Sequence, residues 1–231
     1  MTLKEYSKDW VDTPEFHSLI NDTFIGFVND NPKLKEHRDF VEGHVFGFGE
    51  RAFWWLWKLI MDELPKEPKM LEVGVFKGAT LSLWQLLNPN STVYGVSPMN
   101  GEGLDWKADY YEPVNIIHDR YNLIYPLIIE GLSEDKEVII RAENYGEYDC
   151  VYVDGGHERR HIDNDLLHYA PMVKPNGYLV IDDCANDLSM KFGFFQGIND
   201  VTNGVIDYMK EHQDEWGFVF SVVHIKVFRR K

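Results

Sequence analysis

Three aspartates follow two apolar runs in the second half of the chain. "VYVDGGH" places Asp154 directly after one run, and "LVIDDCAND" places Asp182 and Asp183 after the next. If the two runs are neighbouring parallel strands, the three carboxylates lie within a few ångströms at one sheet edge. Such a cluster repels itself and is relieved by proton uptake or by a hard cation such as Mg²⁺, Ca²⁺ or Mn²⁺. The alternative is that these aspartates only cap the following loop and helix.

One histidine lies beside this predicted cluster. His157 follows Asp154 by three residues, after Gly155 and Gly156. The unperturbed pKa of histidine is close to working pH, so His157 is a candidate proton acceptor. The alternative is a helix cap or a plain surface residue.

The stretch "MLEVGVFKGATL", residues 70–81, combines a strand, a carboxylate and a glycine turn. Gly74 and Gly78 allow a backbone to approach a ligand and to start a helix with open amides. The dinucleotide pattern Gly-x-Gly-x-x-Gly and the phosphate-loop ending Gly-Lys-Ser/Thr are both absent. Glu72 would repel a pyrophosphate and attract a cation, so the turn predicts a cationic ligand. The alternative is an ordinary turn with an exposed glutamate.

These residues need a sheet to position them. Apolar runs rich in Val, Ile and Tyr alternate with helical stretches from Lys69 onward, which is typical of parallel strands buried on both faces. The predicted strands are "KMLEVGV", "STVYGVS", "YPLIIEG", "YDCVYVD" and "GYLVIDD", and "WGFVFSVVHIKVFRRK" predicts a closing hairpin. We therefore predict an α/β fold: a doubly wound, mostly parallel seven-stranded sheet with a terminal antiparallel hairpin. Residues 1–66 are predicted to form an N-terminal helical cap, and residues 67–231 the main domain.

The amino-acid composition limits the binding partners and the cellular compartment that we expect for this protein. The 231 residues carry a formal net charge of −15, which repels phosphate backbones and argues against a nucleic-acid partner. Two cysteines form neither a disulfide framework nor a zinc pattern. The most apolar stretch, "AFWWLWKLIMDEL", is too short and too charged to cross a bilayer, and the first thirty residues lack a signal-peptide core. We expect a cytoplasmic protein without a membrane partner.

Four segments carry a family resemblance. In this order, "LEVGVFKGATL", "EGLS", "YDCVYVDGGH" and "VKPNGYLVIDD" resemble class I S-adenosylmethionine-dependent methyltransferases over residues 69–200. They are more closely similar to Mg²⁺-dependent O-methyltransferases of the catechol and caffeoyl-CoA type, and to the branch that methylates sugar hydroxyls of macrolides and aminocoumarins. The resemblance implies a Rossmann-like domain, S-adenosylmethionine and Mg²⁺ as cofactors, and a small-molecule or sugar hydroxyl as acceptor. It also implies a possible homo-oligomer.

The resemblance assigns roles residue by residue. The metal ligands fall on Asp154, Asp182 and Asp183, and His157 takes the place where the catechol type carries a lysine base. Asp154 is both an alternative proton acceptor and a neighbour of the cofactor. The adenine contact falls on Ser133. The residues that correspond to the turn against the methionine half of the cofactor are Glu72, Gly74, Phe76 and Gly78.

The sequence departs from the family at the end of the second strand. The family has an acid there that binds both ribose hydroxyls, whereas "VYGVSPM" offers Ser97. A serine gives at most one of these hydrogen bonds, which loses on the order of 1 to 3 kcal/mol of binding unless Glu102 or another residue substitutes. Ser97 therefore leaves open a non-catalytic member with impaired cofactor binding. A third hypothesis is another doubly wound nucleotide-cofactor enzyme, which the missing glycine pattern disfavours.

The sequence defines the methyl acceptor less well than it defines the metal and cofactor sites. Trp106, Tyr110 and Tyr111 are candidate substrate contacts, and residues 187–195 are a candidate lid or a plain surface loop. The aromatic run at Phe53, Trp54, Trp55 and Trp57 favours helix packing or a subunit interface over a substrate wall.

Overall fold

One seven-stranded sheet forms the centre of the protein. The computed structural model describes residues 1–47, 51–100, 108–185 and 197–231. The strand order across the sheet is β3-β2-β1-β4-β5-β7-β6, with β1 to β5 parallel and β7 antiparallel to β5 and β6. This confirms the predicted fold class. In chain order the strands are β1 (Lys69–Val73), β2 (Thr92–Ser97), β3 (Leu127–Glu130), β4 (Tyr148–Val153), β5 (Val173–Ile181), β6 (Trp216–Val222) and β7 (Ile225–Arg230).

Helices cover the sheet on both sides, and the two large buried apolar clusters among the described residues lie one on each face. Every residue of β4 is buried, which explains its Val- and Tyr-rich sequence without polar alternation. Strand β3 differs from the expectation of burial on both faces, because it is an edge strand paired only with β2 and leaves Leu127 exposed. The helices are α1 (Leu3–Lys8), α2 (Pro14–Asp30), α3 (Pro32–Gly43), α4 (Arg51–Glu63), α5 (Ala79–Leu87), α6 (Tyr111–Tyr121), α7 (Lys136–Asn144), α8 (Arg159–Tyr169) and α9 (Gly197–Glu211).

Helices α2 and α3 start at clear sequence signals. Thr13 caps α2 and Asn31 caps α3, and each cap is followed by a proline at the first helical position. Helix α4 brings Trp57 against Trp84 of α5 and Tyr152 of β4, at ring distances of 5.0 and 4.9 Å. Phe53, Trp54 and Trp57 are all buried within the chain, so the aromatic run packs the core as expected.

The N-terminal helices also hold the turn between β6 and β7. The indole N–H of Trp10 donates to the carbonyl of Ser221 at 2.9 Å, and the amide of Val223 donates to Nδ1 of His17 at 3.0 Å. This turn carries His224 toward the carboxyl ends of the parallel strands. Among the described residues, the structure contains no helix of the length and apolarity that a bilayer span requires.

Candidate active site

The three aspartates meet at the carboxyl ends of β4 and β5. The amide of Asp154 donates to the carbonyl of Val73 at 2.8 Å, and that of Asp182 to the carbonyl of Val153 at 3.0 Å, so the sheet hydrogen bonds continue to the residues that carry the carboxylates. The Tyr152 hydroxyl lies 2.6 Å from Oδ2 of Asp182 and 3.2 Å from Oδ2 of Asp154. The Tyr152 hydroxyl therefore bridges the carboxylates of Asp154 and Asp182.

Two histidines flank the aspartates. Nε2 of His157 lies 2.9 Å from Oδ2 of Asp183, and Nδ1 of His224 lies 2.8 Å from Oδ1 of Asp182 and 3.5 Å from Oδ1 of Asp183. Potential ligand atoms lie within 4.8 Å of one another in two groups that share Asp183. Sequence reasoning missed His224, because it belongs to the terminal hairpin and no local pattern marks it.

The electrostatics of the cluster are those of crowded carboxylates. Burial, and then the charges of Asp182 and Asp183, raise the pKa of Asp154 well above its usual range. Burial is the largest influence on Asp182 and acts to raise its pKa, but His224, the Tyr152 hydroxyl and the Asp183 amide together outweigh it, and the net shift of the pKa is downward. The hydrogen bond to Asp183 raises the pKa of His157. Without a cation, the cluster therefore relies on a proton and two imidazoles to offset its negative charge.

Glu72 lies beneath the cluster rather than at its surface. Its side chain is 4% exposed, and among the described residues Oε2 has no hydrogen-bond partner. Burial raises the pKa of Glu72 to about 8, with a smaller contribution from the charge of Asp182 and an opposing hydrogen bond from Thr80. At neutral pH the carboxyl group is therefore mostly protonated. The expected carboxylate that attracts a cation is instead a buried, mostly neutral acid.

The glycine turn adopts the backbone that its sequence suggests. Gly74 has φ +103°, and a Cβ at this position would overlap the carbonyl of Asp154. Gly78, at φ +81°, is the N-cap of α5, and within the described ranges no side-chain hydrogen bond caps that helix. The turn therefore keeps β1, the first amides of α5 and the Asp154 loop close together.

The remaining predicted cofactor residues have identifiable contacts. The ring of Phe76 packs edge-on against Tyr110 at 4.9 Å. The Ser133 carbonyl accepts a hydrogen bond from the Tyr169 hydroxyl at 2.9 Å. Ser97 is buried, and its hydroxyl donates to the carbonyl of Val75 at 2.7 Å.

The candidate substrate contacts are only partly described. Trp106, Glu102 and residues 187–195 lie outside the described residues. Tyr110 is 3% exposed, so its ring supports Phe76 and is not an open substrate wall. The Tyr111 hydroxyl donates to Oε2 of Glu130 at 3.0 Å, which turns it toward the end of β3.

A family comparison matches the part of the chain that contains this site. A family model for a methyltransferase domain matches residues 71–184. This segment is a methyltransferase domain. It includes the glycine turn and all three aspartates, and it confirms the recognition of a class I methyltransferase from sequence.

A curated relative matches about half of the chain. The mycinamicin VI 2''-O-methyltransferase of Micromonospora griseorubida is 26% identical over 126 residues, which cover 51% of this chain. The same alignment covers 27% of that protein, so the match spans about a quarter of the relative's length.

Solved structures show the same fold. A protein from Staphylococcus aureus, described as a candidate caffeoyl-CoA O-methyltransferase, aligns with a TM-score of 0.66 at 15% identity, and covers 92% of this chain and 100% of its own. The MycE methyltransferase in complex with Mg, S-adenosylhomocysteine and mycinamycin VI aligns with a TM-score of 0.59 at 22% identity. That alignment covers 86% of this chain and 54% of MycE. At these identities the likeness establishes the fold of the methyltransferase domain.

Proposed function

We propose that this protein is an S-adenosylmethionine-dependent O-methyltransferase that uses a divalent cation, Mg²⁺ in the first instance. Its acceptor is a hydroxyl group of a small molecule or sugar. The observation that carries the proposal is the convergence of Asp154, Asp182 and Asp183 beside the glycine turn of a methyltransferase domain. The mycinamicin relative is named for transfer to a hydroxyl oxygen, and the MycE complex contains Mg and S-adenosylhomocysteine, which supports the same class for this chain.

The donor set fits a hard divalent cation. Asp154, Asp182 and Asp183 offer carboxylate oxygens only, which suit Mg²⁺. The raised pKa of Asp154, caused by burial and the two neighbouring carboxylates, is the expected sign of a site with too much negative charge. When bound, the cation would lower the pKa of an acceptor hydroxyl and fix its orientation.

The backbone beside the cluster fits the methyl donor. Both Gly74 and Gly78 have positive φ, and the Cβ that Gly74 lacks would overlap the Asp154 carbonyl, so the turn lies directly against the first aspartate. Ser133 and Phe76 lie in the loops after β3 and β1, on the same sheet edge. Positioning supplies much of the rate enhancement, because the methyl group is already activated in the donor.

His157 is the proposed proton acceptor. Its side chain is 43% exposed, so it can pass a proton to solvent, and Asp183 holds its Nε2 at 2.9 Å. Asp154, which the cluster makes more basic than an ordinary aspartate, is the alternative acceptor. Both groups lie at the edge where the acceptor hydroxyl would bind.

The metal assignment is tested with Asp182→Asn. The substitution keeps the side-chain shape but removes one anionic ligand, so we expect Mg²⁺ affinity to fall by about tenfold or more. Methyl transfer should be lost with it, while S-adenosylhomocysteine should still bind. The measurements are calorimetric titration with MgCl₂ and with S-adenosylhomocysteine, and release of S-adenosylhomocysteine with a panel of catechols and glycosides.

The matched control is Asp214→Asn, an exposed aspartate in the segment before β6. It makes the same chemical change and should leave both titrations unaltered. Equal loss of metal and cofactor binding in Asp182→Asn would contradict the separate metal role. Absence of binding heat for S-adenosylhomocysteine in the wild-type protein, with and without MgCl₂, would overturn the proposed function itself.

A further inference from the structure

At the end of β2, the Ser97 hydroxyl is already used in a backbone hydrogen bond. Ser97 is 4% exposed, and its hydroxyl donates to the carbonyl of Val75 at 2.7 Å. The same oxygen lies 3.4 Å from the amide of Met99. In doubly wound sheets a carboxylate near this point accepts hydrogen bonds from ribose hydroxyls. Ser97 is committed to the backbone, so another residue must supply that function if a nucleoside binds here.

Glu130 stands beside Ser97 at the end of the neighbouring strand. The two residues are register partners in the parallel pairing of β2 with β3, and Glu130 is the last residue of β3. Neighbouring strands lie about 4.8 Å apart, so the backbone of Glu130 is a single strand spacing from that of Ser97. Its side chain is exposed at the carboxyl edge of the sheet, where a ligand can reach it.

Tyr111 fixes the direction of this carboxylate. The phenol donates to Oε2 of Glu130 at 3.0 Å from the first residue of α6. Burial, followed by the hydrogen bond to Glu130, raises the pKa of Tyr111, so the phenol stays protonated and remains a donor. A carboxylate held by one donor keeps acceptor sites for two further hydroxyls.

The Glu130 carboxylate borders a cavity of about 550 Å³. This volume falls within the roughly 300–1,000 Å³ that is typical of small-ligand pockets. Both polar and apolar groups line it, as a nucleoside with a flat base and a polar sugar requires. The lining residues are Pro98, Asn100, Glu130, Gly131, Leu132 and Asp135.

The glycine turn and the cavity both adjoin the end of β2. The amide of Gly74 donates to the Val96 carbonyl at 2.9 Å, and the Val75 carbonyl accepts from Ser97. The turn therefore contacts Val96 and Ser97, and Pro98, the next residue, lines the cavity. A ligand with its cationic half on the turn would extend its nucleoside half into the cavity.

We propose that Glu130 binds the two vicinal hydroxyls of the ribose of the methyl donor, in place of an acid at the end of β2. This inference rests on the proposed function and adds a specific residue to it. The ribose contact in this chain comes from β3, with Tyr111 as the residue that positions the carboxylate. An ionised carboxylate accepts from both hydroxyls of a diol, and such charge-assisted bonds are stronger than neutral ones.

The test is calorimetric titration of Glu130→Gln with S-adenosylhomocysteine, followed by competition with adenosine and 2′-deoxyadenosine. We expect the substitution to weaken S-adenosylhomocysteine binding about tenfold, because two charge-assisted bonds become neutral ones. The wild-type protein should prefer adenosine over 2′-deoxyadenosine, and Glu130→Gln should lose most of that preference. Tyr111→Phe removes the hydrogen bond to the Glu130 carboxylate but keeps the carboxylate itself. It should therefore weaken S-adenosylhomocysteine binding less than Glu130→Gln does.

The control is Glu137→Gln, the same change at an exposed position in the first turn of α7. It should retain wild-type affinity and the adenosine preference. If S-adenosylhomocysteine binds the wild-type protein and Glu130→Gln equally well, the ribose assignment is wrong while the proposed function stands. An equal loss of adenosine and 2′-deoxyadenosine affinity would also overturn it, since a contact to the 2′-hydroxyl must discriminate between them. If the wild-type protein does not bind S-adenosylhomocysteine, both the proposed function and this inference fail.

Discussion

Glu72 shows how burial changes the chemistry of a single carboxyl group. The residue lies in β1 between β2 and β4, with Gly95 and Tyr152 as its register partners. Transfer of an ionised carboxylate from water to such an environment is costly, and the group retains its proton instead. The acid beneath the aspartate cluster is therefore neutral over most of the pH range in which the cluster itself carries charge.

Because Glu72 is buried, its titration makes the stability of the folded protein depend on pH. The pKa of Glu72 rises from 4.5 in the unfolded chain to about 8 in the native protein, so the native state binds more protons between these values. Stability from this group is complete below about pH 4.5 and is lost as pH rises toward 8. We expect the wild-type protein to lose roughly 3 kcal/mol relative to Glu72→Gln between pH 5 and pH 8.

The measurement is urea unfolding of both proteins at the two pH values, in the presence of a chelator so that no metal acts on the cluster. The glutamine variant is the control for packing, because it has nearly the same shape and does not titrate. A difference in unfolding free energy that stays constant from pH 5 to pH 8 would show that Glu72 does not titrate in this range.

At the scale of elements, the connection from β1 to α5 depends on one backbone conformation. Gly74 has φ +103°, where residues with a Cβ are strained, and a Cβ would overlap the Asp154 carbonyl. We expect Gly74→Ala to destabilise the fold by about 3 kcal/mol or more, because strain and overlap add. Gly74→Ala should also weaken metal binding, since the displaced carbonyl belongs to Asp154, a proposed metal ligand.

Gly26→Ala is the control for this prediction. Gly26 is an exposed residue of α2, and a Cβ there would meet no heavy atom within 4 Å. Alanine at that position should stabilise the protein by about 0.5 to 1 kcal/mol. Thermal unfolding of the two variants should therefore shift in opposite directions, and similar shifts would contradict the role of the Gly74 conformation.

The elements themselves were largely predictable. Helix α2 lies within the predicted helical cap and starts where Thr13 and Pro14 indicate, since these signals and an apolar stripe all act locally. The start of β5 was not predictable. It begins at Val173 and continues through Pro175 and Gly177, which sequence patterns assign to a turn. The strand extends there because Val173 pairs with Tyr148 across an irregular register, a tertiary contact that overrides local preference.

At the scale of the whole molecule, a buried histidine connects the N-terminal helices to the methyltransferase domain. His37 of α3 accepts a hydrogen bond at Nδ1 from the indole of Trp54, 3.1 Å away, and its Nε2 lies 2.9 Å from the hydroxyl of Ser82 in α5. The indole can only donate, so Nδ1 must be unprotonated. Burial lowers the pKa of His37 to about 3, and the imidazole stays neutral in the folded protein.

This histidine predicts a loss of global stability in acid. The pKa is 6.5 in the unfolded chain and about 3 in the native protein, so stability is lost as pH falls below 6.5. His37→Gln should be less stable than the wild type at pH 7, because Trp54 and Ser82 lose a well-placed partner. The difference in unfolding free energy should narrow by about 2 kcal/mol between pH 7 and pH 5. Chemical unfolding at both values tests this, and a constant difference would contradict a neutral buried imidazole.

The sequence by itself determined the order of the elements, the parallel sheet and the edge at which Asp154, Asp182 and Asp183 emerge. These features follow from local periodicity and from the rule that parallel strands end at one edge. Only the tertiary structure decided the environment of each group. It brought His224 to Asp182, 42 residues away, and committed Ser97 to the Val75 carbonyl. It also buried Glu72, because the burial and partners of a side chain depend on which elements pack around it, and local sequence does not encode that packing.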